Sequence, residues 1–259
     1  MADTIRATER PLSFTGAYQT LQRAQKSNRG APAYSRWVNR PFGRVLAAAA
    51  YRLGMTPNQV TGVSALFTYT GIVLLATVAP SPLLALGVAA LLIVGYALDS
   101  ADGQLARLTK AGRPSGEWLD HVVDMGKICL LHSAVLVSWV RFGTPGSVPE
   151  GTLTLLVPLA FLAIAVLSFF GWLLSDLLVR VLRARSAAPP PPAPSGAPAL
   201  RSLLRVPSDY GLLAVTFAWF AAPLFAITYG LLAVANAAIL AAALPTWYRQ
   251  VRTAEESAS

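Results

Sequence analysis

Four aspartates stand at spacings that could do chemistry: Asp99 and Asp102, three residues apart, and Asp120 and Asp124, four apart. On helices these intervals place each pair on one face, so two adjoining helices could direct four carboxylates into one cavity. Like charges so close repel, and insertion scales assign roughly 2.5–3.5 kcal/mol to an aspartate at a helix centre, about 10–14 kcal/mol for four and less near the boundary. Two divalent cations would neutralise the set, and hard oxygen ligands select magnesium, manganese or calcium over zinc. The plainer alternative is a set of acids bordering a loop and pairing with Arg107, Lys110 or Arg113, since surface ion pairs are common and weakly informative. Gly103, Ala106 and Gly116 weigh against it, because small residues intervene where larger side chains would obstruct a bulky ligand. Arg107 adds a planar cation that can grip phosphate oxygens with two parallel hydrogen bonds. Carboxylate-held metals with this guanidinium imply a diphosphate-containing substrate, for which phosphoryl transfer is the natural reaction.

The elements that must position these residues are read from hydropathy. The 259-residue chain is 54% hydrophobic and only 13% charged, with a mean hydropathy of +0.52, too apolar for an ordinary soluble domain. Because a bilayer-spanning helix needs about 20 mostly apolar residues, uncharged stretches of that length are the signal. Six occur, at Gln59 to Ala79, Leu83 to Asp99, Trp118 to Val140, Leu153 to Leu174, Tyr210 to Leu224 and Phe225 to Leu244, the last two divided near Pro223. The expected fold is thus an all-α membrane protein of six transmembrane helices. The carboxylates fall at the end of the second span and the start of the third, near one membrane face.

A net charge of +9 could suggest nucleic acid, but basic residues in membrane proteins more often report orientation. With the N-terminus cytoplasmic and six crossings, the basic loops all lie inside, and the opposite side receives only Arg141. Both termini are then cytoplasmic, no nucleic-acid partner is expected, and no cleavable signal peptide is evident in the polar first thirty residues.

Residues 1–53 read as a cytoplasmic and interfacial segment. Within it, Trp37 to Leu53 mixes arginine with aromatic residues and suits a juxtamembrane helix at the headgroup level, while the first sixteen residues read as disordered. Residues 54–252 form the membrane domain, interrupted at 187–199 by a proline-rich run that cannot be helical and should be an extended cytoplasmic linker. Residues 253–259 are a tail. Cys129, the single cysteine, excludes an intramolecular disulfide and reads as a small buried apolar side chain.

Asp99, Asp102, Gly103, Ala106, Arg107, Gly116, Asp120 and Asp124 together match every position of the pattern D-x2-D-G-x2-A-R-x8-G-x3-D-x3-D. The pattern resembles that of the CDP-alcohol phosphatidyltransferase family. A weaker likeness is Thr56-Pro57-Asn58-Gln59-Val60-Thr61, similar to the T-P-N-x-x-T segment of many members, although proline and a Thr cap are also ordinary at a helix start. The resemblance implies a six-helix homodimeric membrane enzyme with its active site facing the cytoplasm and open laterally to lipid, and the expected location is a bacterial plasma membrane. It implies metal binding by Asp99, Asp102, Asp120 and Asp124, with magnesium or manganese as two ions. Asp124 would also act as general base, while Gly103 and Arg107, with Asn58 and Thr61, would bind the CDP part. The donor would be a CDP-alcohol such as CDP-diacylglycerol, the acceptor a small alcohol or lipid, and the leaving group CMP.

Residues beyond the motif bear on the acceptor. Inositol-phosphate and many glycerol-phosphate members carry Arg or Lys directly after the fourth aspartate, where this chain has Met125. Lys127 reads equally as a holder of an acceptor phosphate or carboxylate and as a side chain snorkelling to the boundary. Asp120-His121 looks like the D-H of choline and ethanolamine phosphotransferases, which makes a CDP-aminoalcohol phosphotransferase acting on diacylglycerol the alternative. His132, deeper in the third span, reads as a packing residue. A cation-coupled transporter is the alternative from another class, but it should carry polar groups through the depth of the bilayer, and the spans at Leu153 to Leu174 and Phe225 to Leu244 have almost none.

Overall fold

The computed structural model describes residues 12–23, 32–144, 152–185 and 205–258, and these are helical without a strand. The expected proline-rich linker lies outside the described residues. Two short elements come first: α1 (Phe14–Arg23) and, after a π-helical turn at Ser35–Asn39, α2 (Arg40–Arg52). Five helices follow that are long and apolar enough to cross a membrane: α3 (Pro57–Thr77), α4 (Pro82–Thr109), α5 (Pro114–Phe142), α6 (Thr152–Arg185) and, at the end, Pro223–Glu256. Before the last lie the short α7 (Tyr210–Thr216) and a 3₁₀ turn at Phe217–Trp219, so the final long helix is α8.

Local chemistry sets the helix starts. The α3, α4, α5 and α8 helices each have proline in the first turn, where the missing N–H has no intrahelical partner to lose. Thr56 and Gln59 form a reciprocal capping box at α3: the Gln59 amide donates to Thr56 Oγ1 at 3.3 Å, and the Thr56 amide to Gln59 Oε1 at 2.8 Å. Lys110, in the left-handed region at φ 53°, ends α4.

The segment expected as the fifth span, Tyr210 to Leu224, differs from a continuous helix. By helical rise, α7 plus its 3₁₀ turn covers about 17 Å, against about 30 Å of hydrocarbon. Its start is fixed by Asp209, whose carboxylate accepts from the Gly211 amide at 3.1 Å, and Pro223 opens α8 directly after it. Meanwhile Phe161 of α6 contacts Tyr229 of α8 with ring centroids 5.0 Å apart, and further along Gly171 lies against Trp247. The two helices therefore run in the same direction, and the intervening chain must return. The described part of that return packs α7 and its 3₁₀ turn against α4.

Close approaches make the bundle tight where the motif lies. A Cβ on Gly95 would stand 3.2 Å from the Ser64 carbonyl and would collide with the Thr68 hydroxyl, so only glycine lets α4 meet α3 here. Ser64 Oγ in turn donates to the Gly95 carbonyl at 2.8 Å. On the outer side, Gly43 of α2 packs against Ala97 and Ser100, and Gln104 Nε2 donates to the Arg40 carbonyl at 3.1 Å. The α1 helix begins within the stretch expected to be disordered: Ala17 and Leu21, four residues apart, are buried against Ala47, Ala48 and Ala50, an apolar stripe too short to register as a span. At the opposite end of the bundle Trp139, Phe161, Phe217, Phe220, Phe225 and Tyr229 form the aromatic core.

Candidate functional site

The helix α4 does not stop where the apolar run stops. It continues to Thr109, carrying Asp99, Asp102, Gly103, Ala106 and Arg107 on a single rigid element. Asp120 and Asp124 lie in the first turns of α5, and α3 packs against both helices. Between them opens a cavity of about 1200 Å³ whose wall includes Asp99, Asp102, Asp120, Gly103, Arg107 and His121, with Asn58 and Thr61 from α3. Asp124 is the one expected site residue that does not line it. Its carboxylate accepts from Lys127 at 3.0 Å.

The two sequence segments meet physically. Thr61 Oγ1 donates to Asp102 Oδ2 at 2.5 Å, and a Cβ on Gly116 would sit 3.3 Å from Asn58 Oδ1. A side chain at Gly116 would therefore press on Asn58, and one at Gly103 would stand 3.6 Å from Arg107 Nη1. Thr56 and Pro57, by contrast, serve the helix start described above.

Asp102, Asp120 and Asp124 each feel the charge of Asp99, so the carboxylates form one electrostatic unit. Ligand atoms of Asp120, His121 and Asp124 all fall within 4.8 Å of one another. The donor set is rich in carboxylate oxygen, which fits a hard divalent ion. At the outer wall Arg107 feels both the attraction of Asp102 and the repulsion of Arg40. Burial pulls the Arg40 guanidinium below its ordinary range, opposed by Tyr96 and reinforced by Arg36.

Lys127 does not snorkel to the membrane boundary. It is 5% exposed, and its ammonium donates to Asp99 Oδ1 at 2.5 Å and Asp124 Oδ1 at 3.0 Å. His121 faces α6, edge-on to Phe169 and Trp172, and neither ring nitrogen has a hydrogen-bond partner among the described residues. His132 is buried and shares a 2.6 Å hydrogen bond with Tyr229 Oη, a packing role as expected. Cys129 is only partly buried.

Sequence reasoning missed several wall residues: Ser35, Asn39 and Arg40 at the α2 entrance, and Trp172, Asp176 and Arg180 on α6. Arg180 pairs with Asp176 and, at 2.7 Å, with Glu117 of α5. An i, i+4 acid–base pair could have been read for Asp176 and Arg180, but it carries no sign of which cavity it borders.

With this geometry, the match of the CDP-alcohol phosphatidyltransferase family model to residues 54–248 is decisive. The chain belongs to that family. It is a CDP-alcohol phosphotransferase by membership and an integral membrane protein by its five apolar helices. The matched region starts at the turn before α3, so α1 and α2 lie outside it. As a CDP-alcohol phosphatidyltransferase, the chain acts on a CDP-alcohol donor and an alcohol acceptor, and the family generally uses a divalent metal. Among curated proteins none matches the chain.

Proposed function

We propose that this enzyme transfers a phosphatidyl group from CDP-diacylglycerol to an acceptor alcohol and releases CMP, in phospholipid biosynthesis. The observation that carries the reading is the shared cavity in which Asp99, Asp102, Asp120 and Arg107 meet Asn58 and Thr61.

Asp99, Asp102, Asp120 and Asp124 would hold magnesium or manganese, which supplies positive charge to the diphosphate oxygens. Arg107 grips phosphate oxygens from the wall, and the bare backbone at Gly103 leaves room beside it. Asn58 faces the nucleotide, while Thr61 contributes by fixing Asp102. Asp124 accepts the proton of the acceptor hydroxyl as that oxygen attacks the phosphorus nearest the diacylglycerol. The bond from this phosphorus to the bridging oxygen breaks, and CMP departs with the bridging oxygen.

The reading includes six crossings, with the return through α7 as the sixth, and a bacterial plasma-membrane enzyme whose active site and termini are cytoplasmic. The distribution of arginine supports that orientation. It also includes a homodimer, to be tested by crosslinking in the membrane.

A second reading is a CDP-aminoalcohol phosphotransferase acting on diacylglycerol. It is favoured by His121 beside Asp120 and by Trp172 in the same wall, an aromatic face able to meet a quaternary ammonium.

The test is to supply purified enzyme in detergent with magnesium, CDP-diacylglycerol or CDP-choline, and a panel of acceptors, and to measure CMP. Release with CDP-diacylglycerol and a polar acceptor supports the first reading. Release only with CDP-choline and diacylglycerol supports the second, and full activity in Asp124→Asn overturns the role of that residue.

A further inference from the structure

Arg40 lines the cavity from α2, outside the region that the family model matches, whereas Arg107, Arg113 and Arg180 lie inside it. Its neighbours show why it, among the arginines of the basic segment, matters to the wall. Arg36, Arg40 and Arg44 recur every four residues. Arg36 Cζ stands 5.4 Å from the Trp37 ring centroid and Arg44 Cζ 5.5 Å from that of Tyr18, so the outer two engage aromatic faces. Arg40, between them, borders the cavity.

The α2 helix is fixed on α4 at this point. A Cβ on Gly43 would stand 2.9 Å from the Ala97 carbonyl, so only glycine permits the approach. Gln104 Nε2 donates to the Arg40 carbonyl at 3.1 Å and to Ser100 Oγ at 3.2 Å. Gln104 is 1% exposed and stands three residues before Arg107, a neighbouring position on the helix surface. One buried amide thus holds the backbone of Arg40 beside the turn that bears Arg107. Two guanidinium groups brought together repel, and Arg107 feels the charge of Arg40. Partial burial and the charge of Arg36 add to the cost at Arg40. An anion lying between the two groups offsets that repulsion.

We propose that Arg40 is a phosphate-binding residue of this enzyme, acting beside Arg107 on the diphosphate of the CDP-alcohol donor. The proposal rests on the functional reading above and adds to it a contact from outside residues 54–248. A diphosphate diester carries one negative charge on each phosphorus, and each guanidinium presents a planar fork that meets one phosphate. The helix α2 then belongs to the donor site, and Gln104 is a positioning residue that acts through Arg40.

The experiment uses the purified full chain in detergent with magnesium. It measures CDP binding, and CMP release from CDP-diacylglycerol with whichever acceptor of the panel is active. In Arg40→Gln, CDP affinity and kcat/KM for the donor are expected to fall by about 10–100-fold, the range of a charged hydrogen bond, with the KM for the acceptor unchanged. Arg40→Lys should fall between, because an ammonium keeps the charge and loses the fork. Wild-type CDP affinity in Arg40→Gln overturns the proposal, and so does a rise confined to the acceptor KM, which would place Arg40 at a phosphate or other anion of the acceptor. In either case CDP binding and CMP release by the wild type leave the functional reading standing. If the wild type neither binds CDP nor releases CMP, both fail. Should Arg40→Gln not fold, Arg40→Met takes its place with the same outcomes.

Discussion

Two regions of this enzyme bury carboxylate, and they differ in what surrounds it. Asp209 is 2% exposed, yet its oxygens are occupied by protein: the Ser35 amide at 2.7 Å, the Gly211 amide at 3.1 Å and the Tyr96 hydroxyl at 3.3 Å. It joins the turn before α2, the start of α7 and the middle of α4. The motif aspartates are more accessible and less satisfied. Asp102 has one side-chain donor in Thr61, Asp99 and Asp124 share Lys127, and Asp120 opens on the cavity. Burial of an acid therefore does not mark a reactive site by itself. What distinguishes the two regions is whether the protein has already supplied the donors.

The comparison can be broken by substitution. The largest effect is expected at Asp124, where Asn keeps the shape and removes the base: CMP release should fall by about 10²–10⁴-fold, while the thermal transition in detergent moves little. Next is Thr61→Val, which deletes the hydroxyl holding Asp102. A lost partner of a metal ligand weakens metal affinity by about 10–100-fold, to be read by manganese titration against a preserved melting temperature. Asp209→Ala should reverse that pattern, lowering stability by about 1–3 kcal/mol through unpaired backbone donors, with turnover per folded molecule close to wild type. Unchanged melting with lost turnover would show that Asp209 belongs to the reaction instead. The smallest effect is expected from Tyr229→Phe, which removes one hydrogen bond to His132 in the aromatic core and should cost about 0.5–1.5 kcal/mol without altering metal binding.

The acid centre was legible in the sequence because its information is local. Asp99, Asp102, Gly103 and Arg107 share one helix, and fixed spacing on a helix is fixed geometry. Helices α3 to α6 and α8 were legible as long apolar runs, though hydropathy ended α4 near Asp99 when the helix continues to Thr109. The missing part is long-range. Lys127 meets Asp99 across 28 residues and Asp209 meets Ser35 across 174, and no periodicity within one element encodes such a partner. The division of the Tyr210 to Leu224 run into the short α7 and a 3₁₀ turn was not legible, because composition records apolarity but not where a buried cap such as Asp209 starts a helix. Arg40 escaped notice for the same reason: one arginine among many in a basic segment becomes part of the cavity only when α2 lies on α4.

The capping box at the entrance of α3 has a consequence for how nucleotide can be held. A helix N-terminus ordinarily offers several backbone donors to phosphate, but here Pro57 has no N–H, the Gln59 amide is engaged by Thr56 Oγ1, and the Val60 amide bonds the Thr56 carbonyl at 3.2 Å. Among the described residues of that turn only the Asn58 amide is left. The positive end of α3 is thus largely saturated by its own chain, and recognition of an anionic ligand in this cavity falls to side chains, with Arg40, Arg107, Arg113 and Arg180 as the guanidinium groups in its wall.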